Sequence, residues 1–343
     1  MRPLAAFAAL LLLAACAVTD PPPPAKTEAP HLAQDAFVAS DGARLPMRAW
    51  LPAGEPKAVI VALHGFNDYS NAFALPAPAL VARGIAVYAY DQRGFGAAPD
   101  PGRWAGEAAL VADADAFLRL VGARHPGVPL YLLGESMGGA VAMLAMTRPD
   151  APKIAGMILS APAVWARSRM SVVERAALWL TSHALPWFPV NGQGLDIQPS
   201  DNIPMLRALS RDPLVLKNTR VDTLDGLVDL MDDAYEAAPA LKGPALILYG
   251  EHDEIVPARP TYDVMATIAG RPRIALAVYA KGYHMLLRDL EADTVVGDII
   301  AWIAHPDAPL PSGADRRALT VLAEQHPKPI AAAAEAGAAA ASN

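Results

Sequence analysis

One stretch, residues 129–146, constrains the fold of this chain more than any other. An apolar run at 130–133 leads into the pattern Gly-x-Ser-x-Gly, whose serine is Ser136, and then into a helix-like apolar run at 140–146. In a strand, sharp turn and helix of this kind, the two arms approach so closely that a Cβ at either glycine would clash. The stretch therefore predicts a buried strand and a helix joined by a strained turn, which holds the Ser136 hydroxyl clear of the backbone.

Short apolar runs separated by turn signals continue through the body of the chain. Most of the later runs are continuously apolar, which is typical of parallel strands buried on both faces. Strands are predicted near residues 36–39, 45–51, 58–63, 85–90, 130–133, 154–159, 245–249 and 274–279, and helices near 72–82, 107–123, 137–146, 261–269 and 288–303. This alternation predicts an α/β fold with a mostly parallel, eight-stranded sheet and helices on both faces.

The segment at about 162–238 interrupts that alternation. It contains no convincing core strand, but it carries Trp165, Trp179, Trp187 and Phe188 among amphipathic helical runs. An insertion at this point of a parallel sheet lies over the carboxyl ends of the strands, where ligands bind. We therefore expect a helical cap over the Ser136 turn.

A serine hydroxyl is a weak nucleophile unless a histidine accepts its proton and a carboxylate orients that histidine. The strand at 274–279 ends in a loop carrying His284, with Gly282 allowing the loop to bend back toward Ser136. Its place after the last predicted strand, third in the chain order serine, acid, histidine, predicts His284 as the general base. The strand at 245–249 ends in a loop with three acidic residues, of which Asp253 is the predicted partner; a helix-capping or surface role is the alternative for it.

Asp253 is preferred to Glu251 and Glu254 because the pattern Gly-x-x-Asp-x-Ile-Val-Pro resembles the acid loop of the α/β-hydrolase superfamily. The neighbouring His252 is interpreted as a loop residue. In that superfamily the triad follows the chain order serine, acid, histidine, which is the order found here.

An oxyanion hole needs backbone donors, each worth roughly 2.7–4 kcal/mol in comparable sites. The residue after the nucleophile, Met137, is expected to supply one N–H. The second is expected from Phe66, which follows His64-Gly65 in the loop after the third core strand. His64 itself is interpreted as orienting that loop.

Across residues 35–305 the chain resembles the monoacylglycerol lipase and lysophospholipase branch of the α/β-hydrolases. Beyond the serine turn, the matching features are His64-Gly65, Asp91-Gln92-Arg93-Gly94-Phe95-Gly96, Asp212-Pro213-Leu214 and His284-x-Leu286-x-x-Asp289. The family often has histidine where Phe95 stands, and serine where this chain has Ala97 and Ala98. These departures concern substrate details more than the triad.

The resemblance implies a serine hydrolase without a cofactor that cleaves esters of single-chain lipids through an acyl-enzyme. Two alternatives remain open from the sequence. One is a general carboxylesterase or serine peptidase of the same fold, because specificity resides in the cap and pocket. The other is an envelope lipoprotein that keeps the fold as a binding module without chemistry.

The amino terminus predicts export and lipidation. Residues 1–16 combine Arg2, an apolar run at 4–13 and Leu13-Ala-Ala-Cys16, as in a secretory signal too short to span a membrane. Leu-Ala-Ala-Cys resembles the lipobox of bacterial lipoproteins, in which the cysteine is lipidated, although an ordinary cleavage site also fits. Because Ala17 is not aspartate, the resemblance favours the outer membrane, facing the periplasm.

Residues 17–34, with four consecutive prolines, are predicted to be a semi-rigid linker.

Composition excludes several classes of function. The formal net charge of −7 gives no reason to expect a nucleic-acid partner. Cys16 is the only cysteine, so the folded body has no disulfide and no thiolate metal site, and the eight histidines form no ligand-like cluster. We expect no metal and no cofactor. Residues 306–343 contain a short helical stretch, end in alanine-rich sequence and are predicted to be a disordered or loosely helical tail.

Overall fold

The computed structural model describes residues 21–22, 25–192, 194 and 196–326. The predicted signal segment, with Cys16, lies outside the described residues, as does the end of the chain after 326.

A twisted sheet forms the centre of the molecule. Its described strands are β1 (His31–Leu32), β2 (Ala36–Val38), β3 (Arg44–Trp50), β4 (Ala58–Leu63), β5 (Ile85–Tyr90), β6 (Leu130–Glu135), β7 (Gly156–Ser160), β10 (Ala245–Gly250) and β11 (Ile274–Tyr279). They are ordered β1-β2-β3-β5-β4-β6-β7-β10-β11. The strands from β5 to β11 in this order are parallel, whereas β1, β2 and β3 pair antiparallel. The predicted mostly parallel α/β sheet is confirmed, with nine strands in the described residues where eight were predicted.

Helices cover both faces of the sheet, as the buried central strands require. The described α-helices are α1 (Ala77–Val81), α2 (Glu107–Arg124), α3 (Met137–Thr147), α4 (Val172–Ala184), α5 (Ile203–Arg211), α6 (Val221–Ala237), α7 (Ala258–Ile268), α8 (Ala292–Ala304) and α9 (Ala314–Gln325). Alternate residues of a strand contact different layers. In β4, for example, Val59 and Val61 belong to one hydrophobic cluster, and Ile60 and Ala62 belong to the other.

The predicted cap segment contains two kinds of structure. Helices α4 and α5 lie on the outside, with only Ser182 of α4 buried. Strand β8 (Pro189–Val190) follows α4, strand β9 (Thr219–Arg220) follows α5, and the two strands pair as a short antiparallel ladder. Helix α6 is different, because Leu230 and Ala234 on its inner face are fully buried in the main core against α3. The end of the segment thus belongs to the helical layer of the sheet.

Both predicted boundaries of the folded body are too narrow. The ninth strand, β1, lies inside the predicted linker at 17–34 and pairs with β2. The tail predicted to be disordered or loosely helical contains, within residues 306–326, helix α9, which packs against β11 as part of the folded body. Helix α9 buries Ala314, Ala318 and Leu322, whose spacing of four residues makes a narrow apolar stripe along the helix.

Among the described helices, none has both the length and the apolar character needed to cross a membrane.

Candidate active site

Four loops meet at the carboxyl edge of the parallel strands. They follow β4, β6, β10 and β11, and they carry Phe66, Ser136, Asp253 and His284 respectively. Neighbouring parallel strands end at the same edge, so residues distant in sequence converge there. The structure thus brings all five residues predicted for the chemistry, including Met137 at the start of α3, to one edge of the sheet.

The turn at Ser136 has the strain predicted from its glycines. Ser136 has φ 54° and ψ −117°, an unfavourable backbone region for a residue with a side chain. A Cβ built on Gly134 would overlap the carbonyl oxygen of Gly138, and a Cβ on Gly138 would overlap that of Leu63. Only glycine permits this approach of strand and helix, so the sequence pattern and the turn geometry have one steric cause.

His284 and Asp253 form a buried pair. Nδ1 of His284 lies 2.8 Å from Oδ2 of Asp253, and both residues are less than a tenth exposed. The other carboxylate oxygen, Oδ1, accepts hydrogen bonds from the backbone N–H groups of Ile255 (2.8 Å) and Val256 (2.9 Å). The carboxylate is therefore fixed on one side by its own loop and orients the imidazole on the other.

Burial acts to lower the pKa of His284, because it disfavours the charged imidazolium. The charge and hydrogen bond of Asp253 act in the opposite direction, together with the charge of Glu135, and they prevail over burial and over the nearby Arg288 cation. The pKa of His284 is therefore raised above its usual value.

The other two acidic residues of the same loop have different partners. Glu251 forms an ion pair with Arg317 of α9, and Glu254 accepts the backbone N–H of Gln198. His252 stacks on Tyr283, with ring centroids 5.2 Å apart. Of the candidates in this loop, Asp253 is the one in contact with His284.

The backbone N–H groups of Phe66 and Met137 are available as donors. Within the described part of the chain, neither donates to a protein acceptor. Met137 is the first residue of α3, where N–H groups have no intrahelical partner and the helix dipole favours negative charge. An oxyanion between the two loops would meet donors that need no rearrangement.

His64 holds the loop that carries Phe66. Its Nε2 accepts the backbone N–H of Gln92 at 2.9 Å, which leaves the proton on Nδ1 to be donated to the carbonyl of Gly65 at 2.8 Å. The Gln92 side chain in turn donates to the carbonyl of His64 at 2.8 Å. Burial lowers the pKa of His64, which favours this neutral form. The arrangement supports the interpretation of His64 as a loop-orienting residue.

Three aspartates of the sequence motifs support neighbouring loops. Asp91 accepts the N–H groups of Ser70 and Ala97. Asp212 accepts the Tyr69 hydroxyl at 2.7 Å and so ties the cap to the loop after β4. Asp289 accepts the Ser200 hydroxyl at 2.6 Å and the N–H of Tyr283, beside His284. Each of these three aspartates therefore holds a loop in position beside the active site.

Sequence reasoning missed a buried charged cluster beside the triad. Arg288 donates to Asp68 at 2.7 Å and to Glu135 at 2.6 Å, and all three residues are at most 5% exposed. Charged residues are rarely buried so deeply unless they are paired. The signal in the sequence was an arginine within the apolar run after His284 and a glutamate directly before Ser136.

A cavity of about 490 Å³ opens on this site. Ser136, His284 and the charged cluster are among its lining residues, whereas most of its wall is apolar. The apolar lining consists of Phe66, Ala163, Trp165, Met170, Leu178, Leu224, Leu227, Val228, Met231, Ile255, Val256 and Met285. The site can therefore hold an extended apolar group with its polar end at Ser136.

A metal centre is not built into this region. Within the ranges that the structure describes, no group of three or more histidine, cysteine, aspartate or glutamate side chains is placed to hold a metal ion.

The fold and these four loops define an α/β-hydrolase. A family model described as serine aminopeptidase, S33, matches residues 54–291, which is more than two thirds of the chain. The chain therefore belongs to this family of α/β-hydrolases.

Relatives and solved structures agree with that assignment. The chain is 30% identical to human monoglyceride lipase over 82% of its own length and 92% of that protein, and 27% identical to the monoacylglycerol lipase of Mycolicibacterium smegmatis over 79% and 96%. Two solved structures share the fold. One is a soluble variant of monoglyceride lipase from Saccharomyces cerevisiae, with a TM-score of 0.67 and 21% identity, covering 84% of this chain and all of that one. The other is a monoacylglycerol lipase from Paleococcus ferrophilus, with a TM-score of 0.64 and 22% identity, covering 77% of this chain and 99% of that one. The chain is a hydrolase of the ester-cleaving type, which favours the enzyme over the binding-module alternative.

Proposed function

We propose that this chain is a lipid-anchored serine hydrolase that cleaves carboxylic esters of single-chain lipids, with monoacylglycerols as the leading substrate class. The observation that carries the proposal is the cavity of about 490 Å³, which has a mostly apolar wall and is lined by both Ser136 and His284. Cavities of this size bury most of a small ligand's surface. The named relatives act on the same class of ester.

The chemistry proceeds through an acyl-enzyme. The Ser136 Oγ attacks the ester carbonyl carbon while Nε2 of His284 takes its proton, and the N–H groups of Phe66 and Met137 stabilise the oxyanion. The tetrahedral intermediate collapses as the imidazolium gives that proton to the leaving alcohol. A water molecule then attacks the acyl carbon while His284 takes a proton from it. The imidazolium returns this proton to Oγ of Ser136 as the acid is released. Asp253 stays ionised and holds the imidazole.

A peptidase is the second candidate, because the matching family model is described as a serine aminopeptidase. Recognition of a substrate's terminal ammonium requires a carboxylate that is free to pair with it. Of the three carboxylates that line the cavity, Asp68 and Glu135 are paired with Arg288, and Glu174 accepts the backbone N–H of Ser171 at the start of α4. This pairing favours an uncharged ester over a peptide amino terminus.

The proposed anchor agrees with the position of the cap. Pro21 lies against Gly106, the residue directly before α2. Helix α2 starts at the carboxyl edge of the sheet, and the cap covers this edge. Cys16 precedes Pro21 by five residues, a reach of at most ~18 Å. Lipid attached at Cys16 would therefore hold the cap side near the bilayer. The proposed location is the bacterial envelope, at the outer membrane and facing the periplasm.

Hydrolysis of a substrate panel by the form lacking residues 1–16 tests the activity. The panel contains monoacylglycerols of increasing chain length, lysophospholipids, p-nitrophenyl esters and aminoacyl p-nitroanilides. We expect monoacylglycerols with medium or long chains to be preferred. A preference for acetyl esters or for anilides would instead support the esterase or the peptidase.

The Ser136→Ala variant is the control for the chemistry. It should lower turnover by about 10⁶-fold if the triad acts as a unit, and it should abolish labelling by a fluorophosphonate probe. Near-normal esterase activity in that variant would contradict the mechanism.

The anchor is tested in the full chain expressed in a bacterial host. Metabolic labelling with a palmitate analogue should mark the wild-type protein and not Cys16→Ser. The Ala17→Asp variant should stay lipidated but shift to the inner membrane. Labelling of Cys16→Ser at the wild-type level would contradict the anchor.

A further inference from the structure

The cluster of Arg288, Asp68 and Glu135 joins three loops of the site. Asp68 lies two residues after Phe66, Glu135 lies directly before Ser136, and Arg288 lies four residues after His284. One guanidinium thus contacts the loop of an oxyanion donor at 2.7 Å and the nucleophile strand at 2.6 Å, from the loop that carries the base.

We propose that Arg288 is a positioning residue, which fixes the nucleophile, the base and the oxyanion loop relative to one another through its two buried ion pairs. The proposal rests on the proposed function, since it assigns Arg288 to the same triad. A planar guanidinium suits this role because it presents two pairs of N–H donors in a fixed geometry. Relative displacements of about 1 Å between reacting groups can cost about 10²-fold in rate.

The cluster also carries a net negative charge beside the base. Two carboxylates face one guanidinium. The nearby His284 receives the charges of Asp253 from the loop after β10, Glu135 from β6 and Arg288 from its own loop. The negative charges stabilise the imidazolium that forms during proton transfer, because opposite charges nearby favour the charged form. Removing Glu135 alone should therefore weaken the base as well as loosen the loops.

The decisive variant is Arg288→Met, compared with Arg93→Met as a matched control. Arg93 also pairs with two carboxylates, Asp41 at 2.7 Å and Asp113 at 2.6 Å, and its side chain is only 13% exposed, but it does not line the cavity. We expect Arg288→Met to lower kcat for a soluble p-nitrophenyl ester by about 10²-fold with little change in KM. Arg93→Met should lower the melting temperature and keep kcat within about threefold of the wild type.

Rescue by Arg288→Lys separates positioning from simple stability. A single ammonium lacks the planar fork, so this variant should recover only part of the lost kcat even where it recovers the melting temperature. Near-normal kcat in a folded Arg288→Met, or an equal loss of kcat in Arg93→Met, would overturn the proposal.

Glu135→Gln keeps the test valid if Arg288→Met does not fold. It retains the shape of the side chain and removes one charge, so the acid limb of the kcat/KM profile should move to lower pH and kcat should fall. An unchanged limb with unchanged kcat would overturn the proposal. Wild-type hydrolysis and its loss in Ser136→Ala are measured in the same assay, so a failure of the proposed function is seen separately.

Discussion

Nδ1 of His284 lies 2.8 Å from Oδ2 of Asp253, and the two residues stand on loops that follow the adjacent parallel strands β10 and β11. The strand register brings them together across 31 residues of chain. Two backbone N–H groups hold the remaining oxygen of Asp253, so this carboxylate has no freedom to turn away.

Replacement of that carboxylate by an amide tests the pair. Asp253→Asn keeps the shape of the side chain but favours the wrong imidazole tautomer, so kcat should fall by about 10⁴-fold. Steady-state hydrolysis of p-nitrophenyl butyrate measures the effect. Glu254→Gln in the same loop is the control and should keep kcat within about threefold, and an equal loss in both variants would argue against Asp253 as the orienting acid.

The raised pKa of His284 sets a pH dependence. His284 must be neutral to accept the serine proton, so activity should rise with pH through an inflection above the usual value of 6.5. The protonated form is also favoured in the folded chain. Its contribution to stability is therefore fully present below about pH 6.5 and is lost as the pH rises through the folded pKa.

Profiles of kcat/KM against pH check the position of this limb, and melting temperatures of the wild type and His284→Gln across the same range check the stability. An acid limb at or below pH 6.5 would contradict the assignment of the raised pKa.

The close approach of strand and helix at Ser136 makes a steric prediction. Gly138→Ala places a methyl group on the Leu63 carbonyl oxygen, so it should destabilise the fold by about 2 kcal/mol or more and displace Ser136 and Met137. Gly297→Ala in α8 is the matched control, since nothing lies within 4 Å of its added methyl group. It should raise stability by about 0.5–1 kcal/mol. Urea unfolding measures both, and a neutral Gly138→Ala would contradict the steric explanation.

Local patterns explain why much of the sheet and the predicted site followed from sequence. The runs at β4, β5 and β11 are continuously apolar, and Ser136 lies between two glycines of a five-residue pattern that can be read directly from the sequence. The Arg288 cluster was missed because its members are 220 and 153 residues apart in the chain and become partners only when three loops meet. The packing of α9 onto the sheet was not predicted because two of its three buried residues are alanines, which give a weak hydrophobic signal, although Ala318 and Leu322 are fully buried.

The apolar wall of the cavity predicts how chain length is selected. Leu227 of α6 lies in that wall, and Leu227→Trp would fill part of the space for an acyl chain. Activity on long-chain monoacylglycerols should fall at least ~10-fold, whereas hydrolysis of p-nitrophenyl acetate should stay near the wild-type rate. Rates over a series of acyl lengths measure the shift. An equal loss for acetate and long chains would indicate damage to the triad region instead of a shortened slot.

The outer face of the cap carries exposed aromatic residues that a bilayer interface would accept. Trp179 of α4 is 54% exposed, and Trp187 and Phe188 after that helix are 59% and 51% exposed. Tryptophan is favoured at the boundary between headgroups and acyl chains. The double variant Trp179→Ser and Trp187→Ser should therefore bind phospholipid vesicles more weakly and hydrolyse vesicle-borne monoacylglycerol more slowly. Its rate on a soluble ester should be unchanged, because neither residue lines the cavity.

Sedimentation with vesicles and the two assays, all with the form lacking residues 1–16, measure these effects. Leu319→Ser on α9 is the control, since Leu319 is 53% exposed outside the cap segment. Wild-type vesicle binding by the double variant would show that this face of the cap does not contact the lipid.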